Sequence, residues 1–511
     1  MGLKDRFDEA ARRNDVKAIV LTGKGGRFSG GFDISVMKKV HDTGDSSHLP
    51  DVSVELVVNA IEGCNLTNML ILMLLFLQTS KPITSEEGRK LGLIDSIVSS
   101  EELLKVSRLW ALEIGERRKP WVRSLHRTDK IGSLSEARQV LGTARQHVKK
   151  TAPHLPQQQA CVDVIEHGIV HGGYSGVLKE AEVFKQLVVS DTSKGLINVF
   201  FAQRAITKVP GVTDIGLKPR SVKKVAVIGG GLMGSGIATA LLLGNIRVLL
   251  KEINSEFLMK GIKTIEGNLN DLVRRGKLTK QKADAALSLL QGVLDYTEFK
   301  DVDLVIECHG TEYFSNSGNM LADLAGYQVS FATSKVFADA FPDRVFKSSL
   351  LDLMIKSGRN GKNNGKGYYI YEKGSKPKPD PSIQPIIEES RRLSNIMPNG
   401  KPISVTDQEI VEMILFPVVN EACRVLEDGV VIRASDLDIA SVLGMSFPNY
   451  RGGLVFWADL VGANHIYTSL KKWTQLYGNF YKPSKYLEER ALKGIPLSAP
   501  ASSTPKPVAR L

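Results

Sequence analysis

A chain of 511 residues is long enough for several domains that each bury a core. With 42% hydrophobic and 24% charged residues, wholesale disorder is excluded. The net charge of +12 points to anionic partners, whether nucleic acid, an acidic lipid surface or phosphate-bearing cofactors, without choosing among them.

Residues 16–22 (VKAIVLT) are a β-branched run bounded by Asp15 and Gly23 and read as a buried strand, followed by a glycine-rich turn over 23–31. The longest apolar run, 69–77, is too short to span a membrane and reads as a buried helix. Residues 85–190 carry helical spacing with breaks at Pro120, Pro153 and Pro156, and 209–221, rich in Gly and Pro, read as a linker. Cys64, Cys161, Cys308 and Cys423 lie far apart with no CxxC pair, so neither a metal site nor a disulfide framework is expected.

A new domain starts at Lys223. The expected order is strand 224–228, glycine turn, helix 232–243, strand 247–251, amphipathic helix 255–276, helix 279–290 and strand 302–306. Strands alternating with helices imply a parallel sheet. Beyond Ser315 the pattern is helical, interrupted by the Gly/Lys/Asn-rich stretch 358–367 and the Lys/Pro-rich connector 373–381. A last helical region spans 406–487, and the Pro/Ser/Ala-rich tail from Pro496 reads as disordered.

The strand at 225–228 runs directly into Gly229-Gly230-Gly231-Leu232-Met233-Gly234, a G-x-G-x-x-G in strand–turn–helix context. Gly229 permits the tight turn, Gly231 lets the backbone approach a pyrophosphate, and Gly234 lets helix and strand pack closely. The helix that follows aims its first amides, those of Leu232 and Met233 among them, at the phosphates. Glu252, at the end of the next strand, is placed to accept from ribose hydroxyls and to repel a 2′-phosphate, which favours NAD as cofactor over NADP.

The run 224–238 resembles the opening of 3-hydroxyacyl-CoA dehydrogenases. The motif Gly361-Lys362-Asn363-Asn364-Gly365-Lys366-Gly367-Tyr368-Tyr369 resembles the close of the first helical repeat of that family's C-terminal domain, and Gly444-Met445-Ser446-Phe447-Pro448 with Arg451-Gly452-Gly453 resembles the second. Upstream, Ile19-Val20-Leu21-Thr22-Gly23 and Phe28-Ser29-Gly30-Gly31-Phe32-Asp33-Ile34 are similar to crotonase-fold enoyl-CoA hydratases. Hydratase before dehydrogenase is the order of peroxisomal β-oxidation multifunctional proteins, and the match is closest to the plant type. The resemblance implies an α/β plus all-α fold class: a partial crotonase-fold region (1–105), a helical connector and linker (106–222), a truncated Rossmann region (223–310), a partial first helical repeat (311–375), a second repeat (376–495) and a flexible tail (496–511). It implies hydration of trans-2-enoyl-CoA and NAD-dependent oxidation of 3-hydroxyacyl-CoA. The backbone N–H of Phe32 would be an oxyanion donor, and Gly30, Phe32 and Asp33 would line the coenzyme A pocket.

Two parts of the family pattern are missing. Water addition needs paired carboxylates, but after Glu62-Gly63-Cys64 the chain passes straight to a segment that resembles a much later helix, and Glu55 and Glu62 read as solvated helix residues. The dehydrogenase needs a His paired with a Glu as base. Here strand 302–306 is followed by Cys308-His309-Gly310-Thr311 and then by a stretch like the C-terminal domain, and His309 stands in no family motif. A defective gene model, a splice product and a decayed paralogue all fit these gaps. Both losses should expose sheet edges and apolar faces and leave a poorly stable chain. A non-catalytic protein that keeps nucleotide binding or an assembly role is the competing reading. An RNA-binding module ranks last, because no aromatic-basic platform accompanies the charge. The terminal Ala509-Arg510-Leu511 resembles an address read by the peroxisomal import receptor.

Overall fold

The computed structural model describes residues 9–10, 12–23, 34–43, 45, 84–91, 94–120, 131–218, 220–307, 323, 326–345, 348–372, 375–393 and 405–500. The chain divides into two compact units, Met1–Phe201 with Pro448–Trp457, and Ala202–Phe447 with Ala458–Leu511.

The described part of the first unit is helical: α1 (Ile34–Thr43), α2 (Ser85–Leu91), α3 (Leu103–Gly115), α4 (Leu134–Thr151), α5 (Pro156–His171), α6 (Gly173–Val188) and α7 (Asp191–Ala205). A capping box starts α4, where Ser133 accepts from the Glu136 N–H and Glu136 accepts from the Ser133 N–H. Its apolar stripe, Leu141 and Ala144, packs on Val162 and Ile165 of α5. Pro156 does not break a helix but opens one, at the first helical turn of α5, where a missing N–H costs nothing. The expected strand at 16–22 is not formed. Ile19 is 48% and Leu21 37% exposed, and no strand among the described residues pairs with that stretch, so its β propensity has no ladder to join.

The second unit opens on turns through the expected linker and then on β1 (Lys224–Ile228), α8 (Leu232–Leu243), β2 (Arg247–Lys251), α9 (Ser255–Arg274), α10 (Lys280–Leu287), β3 (Leu290–Val293) and β4 (Leu304–Glu307). The four strands form a parallel sheet in the order β3-β2-β1-β4. Val225 and Val227 of β1 and Val248 and Leu250 of β2 pack on Ala238 and Leu242 of α8 and Ile265 and Leu269 of α9. The first three elements match expectation. The helix expected over 279–290 ends at Leu287, and Leu290–Val293 is a strand that sequence reasoning missed, because a four-residue Leu-Gln-Gly-Val run shows no alternation.

Strand β4 is an edge strand among the described residues, and Leu304 and Val305 on it are 47% and 46% exposed. Parallel sheets are ordinarily covered on both faces.

The remaining elements are α11 (Tyr327–Ala340), α12 (Leu350–Lys356), the two-residue strands β5 (Tyr369–Ile370) and β6 (Lys378–Pro379), α13 (Gln384–Leu393), α14 (Asp407–Glu427), α15 (Ala434–Gly444), α16 (Leu454–Val461), α17 (Ala463–Tyr477) and α18 (Lys485–Lys493). Another capping box, Thr406 with Glu409, starts α14. No helix among the described residues is long and apolar enough to cross a membrane. The disordered tail expected from Pro496 is corrected for its first five residues. Leu497 is 1% exposed, Asp459 accepts from the Leu497 and Ser498 amides, and Arg490 donates to the Pro496 and Pro500 carbonyls. Residues 501–511, with the terminal Ala509-Arg510-Leu511, lie outside the described residues.

Candidate functional site

The site forms at the carboxyl end of β1, a strand hydrogen-bonded on both sides with Val225, Ala226 and Val227 fully buried. At its end the chain turns at Gly229, whose φ of +94° is open to glycine and costly for other residues. The Gly229 N–H donates to the Lys251 carbonyl at 2.9 Å, which ties the turn to the end of β2. The next amide, Gly230 N–H, donates to Glu252 Oε1 at 2.6 Å, and the Ile253 N–H donates to Oε2 at 3.1 Å.

Gly231 is the N-cap of α8 and contributes no side-chain cap. A Cβ there would meet no heavy atom within 4 Å, so open space stands over the first turn of the helix. The Leu232 and Met233 side chains are 58% and 46% exposed, which leaves their role at the site to their backbone amides, while Gly234 is buried. The Ser235 hydroxyl donates to the Gly231 carbonyl at 2.7 Å and fixes that turn.

Residues outside the motif complete this end of the sheet. Gly261 of α9 stands so close to the loop that a Cβ on it would lie 3.2 Å from the Gly230 Cα. The helix also carries Gly267, so nothing in the sequence singles out Gly261 as a neighbour of the loop. Lys251 at the end of β2 lies with Nζ 4.6 Å from the centroid of the Tyr296 ring, which follows β3. Beside it the Thr297 hydroxyl and amide hold the Asp295 carboxyl below the usual carboxylate range. Neither residue carries a motif visible in sequence.

The structure thus brings Gly229, Gly231, Leu232, Met233, Gly234 and Glu252 to one strand-end, with an uncapped helix N-terminus facing open space. Backbone N–H groups in that position, together with the helix dipole, suit a pyrophosphate. The Glu252 carboxylate, next to the loop, suits a ribose hydroxyl and opposes a second phosphate. The arrangement fits NAD. Gly30, Phe32 and Asp33, the two glutamates Glu55 and Glu62, and His309 with Cys308 lie outside the described residues.

Residues 224–313 match the 3-hydroxyacyl-CoA dehydrogenase NAD-binding domain, and residues 410–496 match the C-terminal domain of the same enzymes. The fold and the site therefore define an NAD-binding α/β dehydrogenase domain followed by a helical one. The chain is 50% identical to a peroxisomal fatty acid beta-oxidation multifunctional protein of Arabidopsis thaliana, over 99% of this chain and 95% of that one. It is 46% identical to a protein of the same description from Oryza sativa subsp. japonica, over 98% and 94%. Among solved structures, 3-hydroxybutyryl-CoA dehydrogenase from Escherichia coli K12 is 18% identical, with 54% of this chain and 99% of that chain covered at a TM-score of 0.39. This chain belongs to the family of peroxisomal fatty acid β-oxidation multifunctional proteins. The match to the Arabidopsis protein runs over 685 residues while this chain has 511, so the relative carries residues with no counterpart here.

Proposed function

We propose that this chain acts in fatty-acid β-oxidation in the peroxisome as a multifunctional enzyme on acyl-CoA substrates, hydrating trans-2-enoyl-CoA and oxidising 3-hydroxyacyl-CoA with NAD. The observation that carries this reading is the phosphate loop, complete from the Gly229 turn to the Glu252 carboxylate. Gly229, Gly231 and Gly234, with the amides of Leu232 and Met233, would hold the pyrophosphate, and Glu252 the adenosine ribose. NAD supplies a hydride acceptor when bound. Gly30, Phe32 and Asp33 would serve the coenzyme A thioester in the upstream region, with the Phe32 N–H as oxyanion donor. The terminal Ala509-Arg510-Leu511 supports recognition by the peroxisomal import receptor.

A second reading is favoured by the half-exposed β4 and by the residues of the relatives that have no counterpart here. On it the chain is a member that keeps NAD binding and has lost most of both activities. Oxidation needs a base for the alcohol proton, and hydration needs paired carboxylates. Loss of the base alone costs on the order of a hundredfold to ten-thousandfold. One purified sample decides between the readings: NADH binding by fluorescence, NADH formation from a 3-hydroxyacyl-CoA, and loss of enoyl-CoA absorbance. Binding with rates near those of full-length relatives establishes the first. Binding with negligible turnover in both assays establishes the second, and no NADH binding would overturn the assignment of the loop.

A further inference from the structure

The two helical repeats of the C-terminal region contain the same knot. Ala322-Asp323-Leu324-Ala325-Gly326 in the first corresponds to Ala458-Asp459-Leu460-Val461-Gly462 in the second, each running into a helix, α11 or α17. In the first, Arg359 Nη1 donates to the Gly367 carbonyl at 2.8 Å, and the next two amides, Tyr368 and Tyr369, donate to the Asp323 carboxylate at 2.9 and 3.0 Å. In the second, Arg490 Nη1 donates to the Pro496 carbonyl at 2.8 Å, and the next two amides, Leu497 and Ser498, donate to Asp459 at 2.6 and 3.1 Å.

The first knot has partners that the second lacks. Asp323 also accepts from the Tyr327 and Tyr371 hydroxyls, and Arg359 is paired with the Asp380 carboxylate at 2.7 Å, both side chains nearly fully buried. The start of α11 is covered, since a Cβ at Gly326 would sit 2.6 Å from Asn363 Nδ2. In the second repeat the place of Tyr327 is taken by Ala463, and a Cβ at Gly462 would meet nothing within 4 Å. Arg490 is 6% exposed; its guanidinium donates to the Pro496 and Pro500 carbonyls and lies 4.6 Å from the centroid of the Tyr486 ring, but it forms no ion pair with a carboxylate among the described residues. Where those groups are missing there is a cavity of about 280 Å³, lined by Asp459, Gly462, Ala463, Asn464, Arg490 and Pro496 among others.

A buried guanidinium is costly without a counter-charge, and the first amides of a fifteen-residue helix without a side-chain cap favour an anion. The Asp459 carboxylate, holding only backbone amides, has room for a hydroxyl donor of the kind Tyr327 supplies to Asp323. We propose that this cavity binds a small hydroxycarboxylate, its carboxylate toward Arg490 and the start of α17 and its hydroxyl donating to Asp459. The ligand replaces in the second repeat what Asp380 and Tyr327 provide in the first.

The test is isothermal titration of the full chain with glycolate and lactate, using acetate and ethylene glycol as controls that each lack one of the two groups. The expected result is binding in the millimolar range for the hydroxy acids, about tenfold weaker binding for each control, and loss of the signal in Ala463→Phe, which fills the cavity. NADH affinity should be unchanged in that variant. Ala463→Leu, a smaller filler, serves the same purpose if the phenylalanine variant does not fold. Absence of hydroxy-acid binding, equal binding by acetate, or undiminished binding in a folded filled variant would each overturn the proposal.

Discussion

Two glycines at the nucleotide site should fail in opposite ways when each is replaced by valine. At Gly231 the backbone has φ −67° and a Cβ meets only open space, so Gly231→Val should leave stability within about 0.5 kcal/mol of the parent. The same isopropyl group would stand where the pyrophosphate approaches the first amides of α8. Loss of even one charge-assisted hydrogen bond there costs about 1.5–3 kcal/mol, so the dissociation constant for NADH should rise roughly ten- to a hundredfold. At Gly261 the geometry is closed. A Cβ would lie 3.1 Å from Leu250 Cδ2 and 3.2 Å from both the Cα and the carbonyl oxygen of Gly230. The backbone contact has no rotamer to escape into, and overpacking of this kind costs about 1–3 kcal/mol. Gly261→Val should therefore lower the melting temperature by several degrees, at about 2–4 °C per kcal/mol, and weaken NADH binding through the displaced loop. Thermal melting and NADH fluorescence on both variants give the comparison. A Gly231→Val protein with parental affinity would refute the placement of the pyrophosphate over α8, and a Gly261→Val protein of parental stability would refute the close contact of α9 with the loop.

Glu252→Gln keeps the shape but gives up the charge that the Gly230 and Ile253 amides point toward. NADH affinity should fall by about tenfold, and discrimination against NADPH, read from the ratio of the two constants, should shrink. The Arg359 guanidinium holds the Asp380 carboxyl down at about 2, from an ordinary 3.8. A depressed native value means stability that is present above the unfolded pKa and is lost as pH falls through the native one. The parent should therefore lose stability between about pH 4 and pH 2. Asp380→Asn, which leaves Arg359 buried without its counter-charge, should cost about 3–5 kcal/mol at pH 7 and flatten that part of the profile in urea titrations. Leu304→Thr and Val305→Thr on the exposed β4 should change stability by less than about 1 kcal/mol and raise solubility, measured by light scattering. A large loss of stability would mean that this strand is covered.

The nucleotide site was readable because everything that makes it is local. Four apolar residues at 225–228, the glycines at 229, 231 and 234 and the acid at 252 fall within one strand–helix–strand unit, and its elements stand where the pattern placed them. Gly261 and the Lys251–Tyr296 contact were not readable as site residues, because their proximity to the loop arises from the way α9 and β3 pack. The strand expected at 16–22 shows the converse limit. Its composition is that of a buried strand, but a strand is stabilised by neighbours that the composition does not contain. The tail at 496–500 was misread for a similar reason. Pro, Ser and Ala give no hydrophobic pattern, and what holds the segment is three side chains outside it, Asp459, Tyr486 and Arg490.

The same contrast between local and distant determinants explains why binding and turnover should separate in this protein. The phosphate loop draws on β1, β2, α8 and α9, all within 224–274, and its core of Val225, Val227, Leu250, Ile265 and Leu269 is fully or almost fully buried. None of these residues depends on a strand beyond β4. The chemistry depends on groups brought from further along the chain, since a hydride acceptor is of use only when a base and an alcohol are held within reach of it. On the proposed reading, a deletion after β4 would spare the first set and remove the surroundings of the second, which agrees with the half-exposed Leu304 and Val305. Reinsertion of the relatives' segment after Glu307 should therefore bury β4 and raise stability and turnover together, while NADH affinity for the adenosine end changes little. Each Leu or Val that goes from half exposed to buried contributes on the order of 1 kcal/mol, so the gain should be visible as a rise in melting temperature of a few degrees. If turnover returned without any gain in stability, the exposed strand would have been no consequence of the missing segment.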